Sequence, residues 1–235
     1  MKSVAAVPRM PELMRLLQFT DSMFPVGAFT FSNALEPAVQ LGIVHDRRTL
    51  HDFVSTATHL AAGCDGIALL ESHRGTRAGD TDRVGRSDEA VFVRKLNEEM
   101  RSMSTRMGRK LAEISAAVVA DPVLVRRAGD IAAGTVPGTY PIGVGVLAAV
   151  LGLPEEAAFA AQQYGTAAMI VGAAVRLMPI DHVDAQTVLF AVNDTAQRHY
   201  ERVAGAGLDD MASFAPMTDV LAAAHVRARI RMFIN

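Results

Sequence analysis

From Asp88 onward the chain places an apolar residue every three or four positions: Phe92, Leu96, Met100, Met103, Met107, Leu111, Ile114 and Val118. Repeated steps of 4-4-3 average about 3.67 residues per turn, so these side chains form one stripe along a nearly straight helix. This pattern predicts a long central helix with the rest of the chain bundled around it. Arg94, Lys95, Glu98, Glu99, Arg101, Arg106, Arg109 and Lys110 fall on its other faces, where i, i+4 charge pairs keep them solvated. Met100, Met103 and Met107, at helical spacing, read as core filler rather than soft-metal ligands.

The remaining segments repeat the same period. Half of the 235 residues are apolar, aromatics are only 6% and tryptophan is absent, so the core must be built from Ala, Val, Leu and Met. Such side chains suit closely packed helices better than strands. Residues 1–10 lack periodicity and read as a flexible arm, after which Pro11 opens a helix carrying Leu13, Leu16 and Leu17. That helix ends in a loop at Pro25 that holds Phe29 and Phe31, with Thr30, Ser32 and Asn33 as cap candidates. Pro37 makes the next helix start late or bend. Asp46 caps a helix through Leu50, Phe53, Val54, Ala57 and Leu60, a break falls at Gly63, and Asp65 caps another helix. Residues 74–87, rich in Gly, Arg, Asp and Thr, are predicted to be an exposed linker. Tyr140-Pro141 opens an apolar helix to Leu153, Pro154 opens another to Arg176, Asp181 caps one that runs past Val203, and Pro216 begins the last. No apolar run of period two interrupts the series, which predicts a single all-α domain over residues 1–235.

Several function classes lack support. A net charge of −2 leaves no broad basic surface for nucleic acid. Cys64 stands alone and no signal-peptide pattern opens the chain, which points to the cytoplasm. The apolar run 142–153 is too short to span a bilayer, and the longer run 157–178 is interrupted by Gln162, Gln163 and Arg176, so no membrane is expected. The best local metal candidate, His59-x4-Cys64-x8-His73, crosses the expected helix break. Asp209-Asp210 lacks the third carboxylate of a magnesium-binding motif. Neither a phosphate-binding glycine loop nor a G-x-S-x-G elbow is found, so no catalytic residue and no metal ligand are assigned. Gly143, Gly145, Gly152, Gly165 and Gly172 read as sites of close helix approach.

Five segments in order then form a pattern. Residues 16–36, L-L-Q-F-T-D-S-M-F-P-V-G-A-F-T-F-S-N-A-L-E, resemble the amino-terminal P-V-G-G-F-S-Y-S-x-G-L-E signature of the urease accessory protein UreF family. Residues 95–111, with Arg106-Met107-Gly108-Arg109, resemble its long-helix segment, and residues 138–145 its H-Y-P-V-x-x-G stretch. Residues 173–186 resemble S-A-x-x-R-L-x-P-L-G-Q-x-x-G-Q, and residues 213–233 the family ending F-x-P-x-L-D-I-x-x-M-x-H-E. Ala28, Ala34 and Ala185 stand where the family usually has Gly, Phe31 where it has Tyr, Thr139 where it has His, and Asp181-His182 where it has Gly-Gln.

This resemblance implies an all-helical, non-enzymatic adaptor that dimerises and bridges a UreG-like GTPase to a UreD/UreH-like accessory protein, serving nickel delivery to apo-urease. It implies no cofactor of the chain's own, since nickel and GTP are handled by the partners. It also points to Pro25, Phe29, Ser32, Glu36, Arg176, Pro179, Gln186, His225, Arg229, Arg231 and Phe233 as partner-binding residues, with 225–235 as a partner-binding tail. A homodimer surface is expected in the apolar, Gly-rich stretch between Ile142 and Arg176. Ile230, Met232 and Phe233 forgo burial if the tail is free, so either a partner or the chain's own core receives them. A helical ligand-binding protein or enzyme outside the urease system is the alternative, resting on an apolar core with Gly-lined helices.

Overall fold

A computed structural model describes residues 9–21, 23–212, 220–221 and 232–233. Among these residues there is no strand, in keeping with the all-α expectation. Helix α1 (Met10–Thr20) carries Pro11 in its first turn, and the Glu12 carboxylate takes the Arg9 N–H at 2.8 Å. Residues 1–8 of the expected arm lie outside the described residues, while Met10 already belongs to α1. A 3-10 turn at Ala28–Thr30 leads to α2 (Leu35–Gln40), which places Pro37 in its first turn where no hydrogen bond is lost.

Helix α3 (Arg47–Ala61) starts at Asp46, whose side chain accepts the Thr49 N–H at 2.7 Å. The break expected at Gly63 does not occur. Residues Ala62–Gly66 form one π turn, and the helix continues as α4 (Ile67–Ala78), so Asp65 lies inside the turn and caps nothing. The continuous helix Arg47–Ala78 is long and apolar enough to cross a membrane, and half of its most apolar window is buried in the protein.

The linker expected at 74–87 is also corrected. Gly79 adopts a left-handed φ of 70° at the end of α4, and Asp80 caps α5 (Thr81–Arg94) by accepting the Arg83 N–H at 2.8 Å. Val84, Ala90 and Val91 of α5 pack with α4 in one apolar cluster, and ion pairs add to the hairpin and tie it to Glu155. Arg83 Nε and Nη2 each donate to Glu71 at 2.8 Å, and Arg74 donates to Glu155 at 2.7 Å. Gly75 lets the helices approach, since a Cβ there would lie 3.1 Å from Val84.

The long helix does not begin at Asp88. Residues 95–97 separate α5 from α6 (Glu98–Val119), because Asn97 Oδ1 accepts the Glu99 N–H at 2.8 Å and Lys95 is drawn to Asp65 on the π turn at 2.7 Å. An asparagine cap competes with helix continuation. Met103, Met107 and Leu111 of the predicted stripe are buried, whereas Leu96 is exposed.

Asp121 caps α7 (Pro122–Ala132), and α8 (Tyr140–Val150), α9 (Glu155–Leu177), α10 (His182–Asn193) and α11 (Ala196–Val203) follow. A turn at 194–195 divides the helix expected to run from Asp181 past Val203. The last helix, expected from Pro216, lies largely outside the described residues. One apolar cluster joins α4, α6 and α8 with the first turns of α9; another joins α2, α3 and α10 with its later turns. Helix α9 therefore connects both.

Close approaches set the first cluster. A Cβ on Gly108 would lie 2.0 Å from Gly138 O, and one on Gly145 would lie 2.2 Å from Ser72 Oγ. Asp88, fully buried, accepts from Arg127 Nη2 at 2.8 Å, Gly138 N at 3.0 Å, Thr139 N at 2.9 Å and Thr139 Oγ1 at 2.6 Å. It fixes the turn that presents Gly138 to Gly108.

Candidate partner-binding surface

The amino-terminal loop is built by backbone exceptions. Gly27 has φ 81°, and Asn33 and Ala34 adopt left-handed φ values of 53° and 65° that L-residues adopt infrequently. This turn buries Phe31, Ser32, Leu35 and Glu36 while leaving Phe29 68% exposed. Ser32 Oγ accepts the Glu36 N–H at 3.3 Å, which orients the first turn of α2.

Glu36 is 2% exposed, and a buried carboxylate needs donors. Gln40 Nε2 approaches at 3.4 Å, but the short bonds come from far along the chain. The Met232 N–H donates to Oε1 at 2.7 Å and the Phe233 N–H to Oε2 at 3.0 Å. The Phe233 ring is 4% exposed. Arg176, in the last turn of α9, places its guanidinium carbon 4.2 Å from the centre of that ring and 5.0 Å from the centre of Phe29. Its Nη2 donates to Phe29 O at 2.9 Å, and burial lowers the pKa of this arginine. One cation thus sits between two rings while one carboxylate grips two amides.

Of the residues expected at a partner site, Phe29, Ser32, Glu36, Arg176 and Phe233 come together here. Pro25, Pro179 and Gln186 are exposed, on the loop, after α9 and on α10 respectively. His225, Arg229 and Arg231 lie outside the described residues. Of the two receivers expected for Phe233, its own chain takes it, with Glu36 accepting its backbone N–H and Arg176 lying over its ring. Met232 beside it stays exposed.

Next to this clamp opens a largely apolar cleft of about 650 Å³, lined among others by Phe19, Phe53, Met100, Met103, Met169 and Arg176. Tyr140 lines it too, its phenol pushed up to about 12 by burial. Tyr164 and Gly172, with the half-buried Gly165, form the outer side of α9 at this cleft. Helix α8, by contrast, is spent inside: Ile142 through Ala149 are all buried, so the surface expected between Ile142 and Arg176 reduces to α9. Helix α1 is apolar on two sides, with Phe19 turned inward and Met10, Leu13, Met14 and Leu17 exposed.

The scattered histidines have other tasks. His73 Nε2 bonds Leu153 O at 2.9 Å, Cys64 is buried in the π turn, and His59 is bonded by Arg202. Among the described residues no group of three His, Cys, Asp or Glu side chains could hold a metal ion. Asp88 and Arg127 were not singled out from sequence, since their partners are 39 to 51 residues away and no local pattern marks them.

This geometry defines an all-helical protein whose best-built charged cluster grips its own carboxyl-terminal backbone beside apolar surface. The UreF family model matches residues 44–193. The chain is 49% identical over 226 residues to the urease accessory protein UreF 2 of Brucella canis, covering 96% of this chain and 93% of that one. It is 46% identical over 224 residues to the urease accessory protein UreF of Yersinia pseudotuberculosis, covering 95% and 98% respectively. The chain belongs to the urease accessory protein UreF family.

Proposed function

We propose that the chain is a non-catalytic adaptor in nickel-dependent urease maturation, acting in the cytoplasm between a UreG-like GTPase, a UreD/UreH-like accessory protein and apo-urease. The observation that carries this reading is the clamp in which Glu36 and Arg176 join the amino-terminal loop to Met232 and Phe233. A face assembled from both ends of the chain, with Phe29 and Met232 exposed beside a buried ion, suits recognition of another protein. The exposed Pro25, Pro179 and Gln186 are assigned to the same recognition, as are His225, Arg229 and Arg231 from the sequence alone. Nickel and GTP would be held by the partners, the chain itself carrying no cofactor.

Homodimerisation belongs to the same reading. The exposed α9 side at Tyr164 and Gly172, with the outer stripe of α1, leaves apolar surface that a second copy would cover. Deletion of the chain from a urease-positive host tests the proposal: urease activity should fall and recover in part with added nickel. Unchanged activity would refute it. The cleft also admits a second reading, binding of a small apolar ligand, for which ligand-induced thermal stabilisation without partners is the test.

A further inference from the structure

A cluster of titratable groups lies apart from the clamp. His59 sits near the end of α3, just before the π turn, and its ring meets that of His199 on α11 edge to face, centroids 5.4 Å apart. Arg202, one turn further along α11, places Nη1 2.6 Å from His59 Nε2, and its Nη2 donates to His59 O at 2.9 Å. A guanidinium has only hydrogens to offer, so the imidazole nitrogen facing it must present a lone pair. His59 is therefore held neutral.

His199 is 7% exposed, and its Nδ1 lies 3.2 Å from Gln163 Oε1 on α9. The Gln163 amide is oriented by its own donation from Nε2 to Gln162 Oε1 at 2.9 Å, so Nδ1 carries the hydrogen. Nearby carboxylates are committed elsewhere. Glu155 on α9 is bound by Arg74 and Tyr200, Glu156 acts on Tyr200, and Asp65 in the π turn pairs with Lys95. Arg198 adds another cation from α11 itself. Burial, reinforced by Arg202, lowers the pKa of His59. Burial, then His59, Arg202 and Arg198, hold His199 down at about 4.

The same helix leads to a second contact with the π turn, where the Ala212 N–H donates to Gly63 O at 3.1 Å. We infer that His59, Arg202 and His199 form an acid-operated release, in which a proton taken from solvent by either imidazole detaches α11 and residues 208–212 from the π turn. A proton on His59 removes the acceptor that Arg202 uses and sets imidazolium against guanidinium. A proton on His199 places a charge in a buried site that no carboxylate among the described residues serves. The sign follows from linkage: the packed state binds the proton less tightly than the released one. Its stability is full above the ordinary histidine pKa of 6.5 and is lost as pH falls from there toward 4.

Hydrogen exchange of the full chain at pH 7.5 and 5.0, corrected for intrinsic rates and read on peptides covering 196–212, tests the inference. Protection in the wild type should drop on the order of tenfold at pH 5.0. In the double variant His59→Gln/His199→Gln, whose amides replace the bonds without titrating, the change should stay within about twofold. A wild type equally protected at both pH values, or a double variant as acid-sensitive as the wild type, would overturn it. Should the double variant fail to fold, His199→Gln alone is expected to lose at least half of the pH response, and an unaltered response would count equally against the release.

Discussion

At the scale of single residues, burial of charge organises the molecule. Glu36 accepts two backbone amides, and hydrogen bonds to a charged group contribute about 1.5–3 kcal/mol each. Glu36→Ala is expected to release Phe233 while leaving the helices folded. We expect a small change in melting temperature together with rapid hydrogen exchange at 232–233; protected amides there in the variant would show that Phe233 docks without the carboxylate. Arg176→Lys keeps the charge but loses the flat guanidinium that lies over two rings and donates to Phe29 O. A loss of about 0.5–2 kcal/mol is expected from the cation–ring contacts. In the proposed adaptor role, co-purification of the accessory partner should weaken while the melt falls by roughly 1–8 °C. Full partner retention would separate this arginine from recognition.

At the scale of elements, helix contacts depend on absent side chains. A Cβ on Gly108 would press on Gly138 O at 2.0 Å and Thr139 C at 2.7 Å, both backbone atoms that cannot swing aside. Gly108→Ala should therefore cost about 3 kcal/mol, the upper end for overpacking, and lower the melt by roughly 6–12 °C in a chain of this length. A melt within a degree of wild type would show that α6 and the 138–140 turn can part freely. The same turn hangs on Asp88. Asp88→Ala leaves Arg127 buried without its counter-ion, and Arg127 Nε already has no partner among the described residues. Breaking such a pair costs about 3–5 kcal/mol, so chemical denaturation should detect the variant as severely destabilised. The hairpin of α4 and α5 teaches a related lesson. Residues 74–87 read as linker because they lack an apolar stripe, yet Val84 packs on the core and the Glu71–Arg83 and Arg74–Glu155 ion pairs fix the hairpin beside α9.

At the scale of the whole molecule, what stays uncovered matters most. Gly172 on α9 is exposed, and a Cβ there would meet open space, so the fold should accept a large side chain at this position. Gly172→Arg is expected to leave the monomer's melt unaltered and to shift light scattering from dimer to monomer. A variant still dimeric would move the proposed interface away from α9. The family was legible because its marks lie in local order: the loop at Pro25, Arg106-Met107-Gly108-Arg109 and the segment around Arg176 each occupy a few consecutive positions. Their convergence was only partly legible. Phe29, Glu36, Arg176 and Phe233 could be named one by one, but nothing local says that Glu36 and Phe233 share hydrogen bonds across 197 residues.

What the amino-acid sequence determined by itself was the all-α class and most helix starts. Those signals act within one turn: Asp46, Asp121 and Asp181 accept amides two or three positions ahead, and prolines sit where a helix has no bond to lose. What only the tertiary structure decided was the fate of polar side chains in ambiguous places. Asn97 became a cap instead of continuing the helix, and Gly63 entered a π turn rather than a break. Asp88, Glu36 and His199 went into the interior because partners 36 to 197 residues away were brought to them. A helix closes its hydrogen bonds locally, whereas a buried charge is tolerable only when distant donors arrive together, and that arrival is a property of the assembled fold.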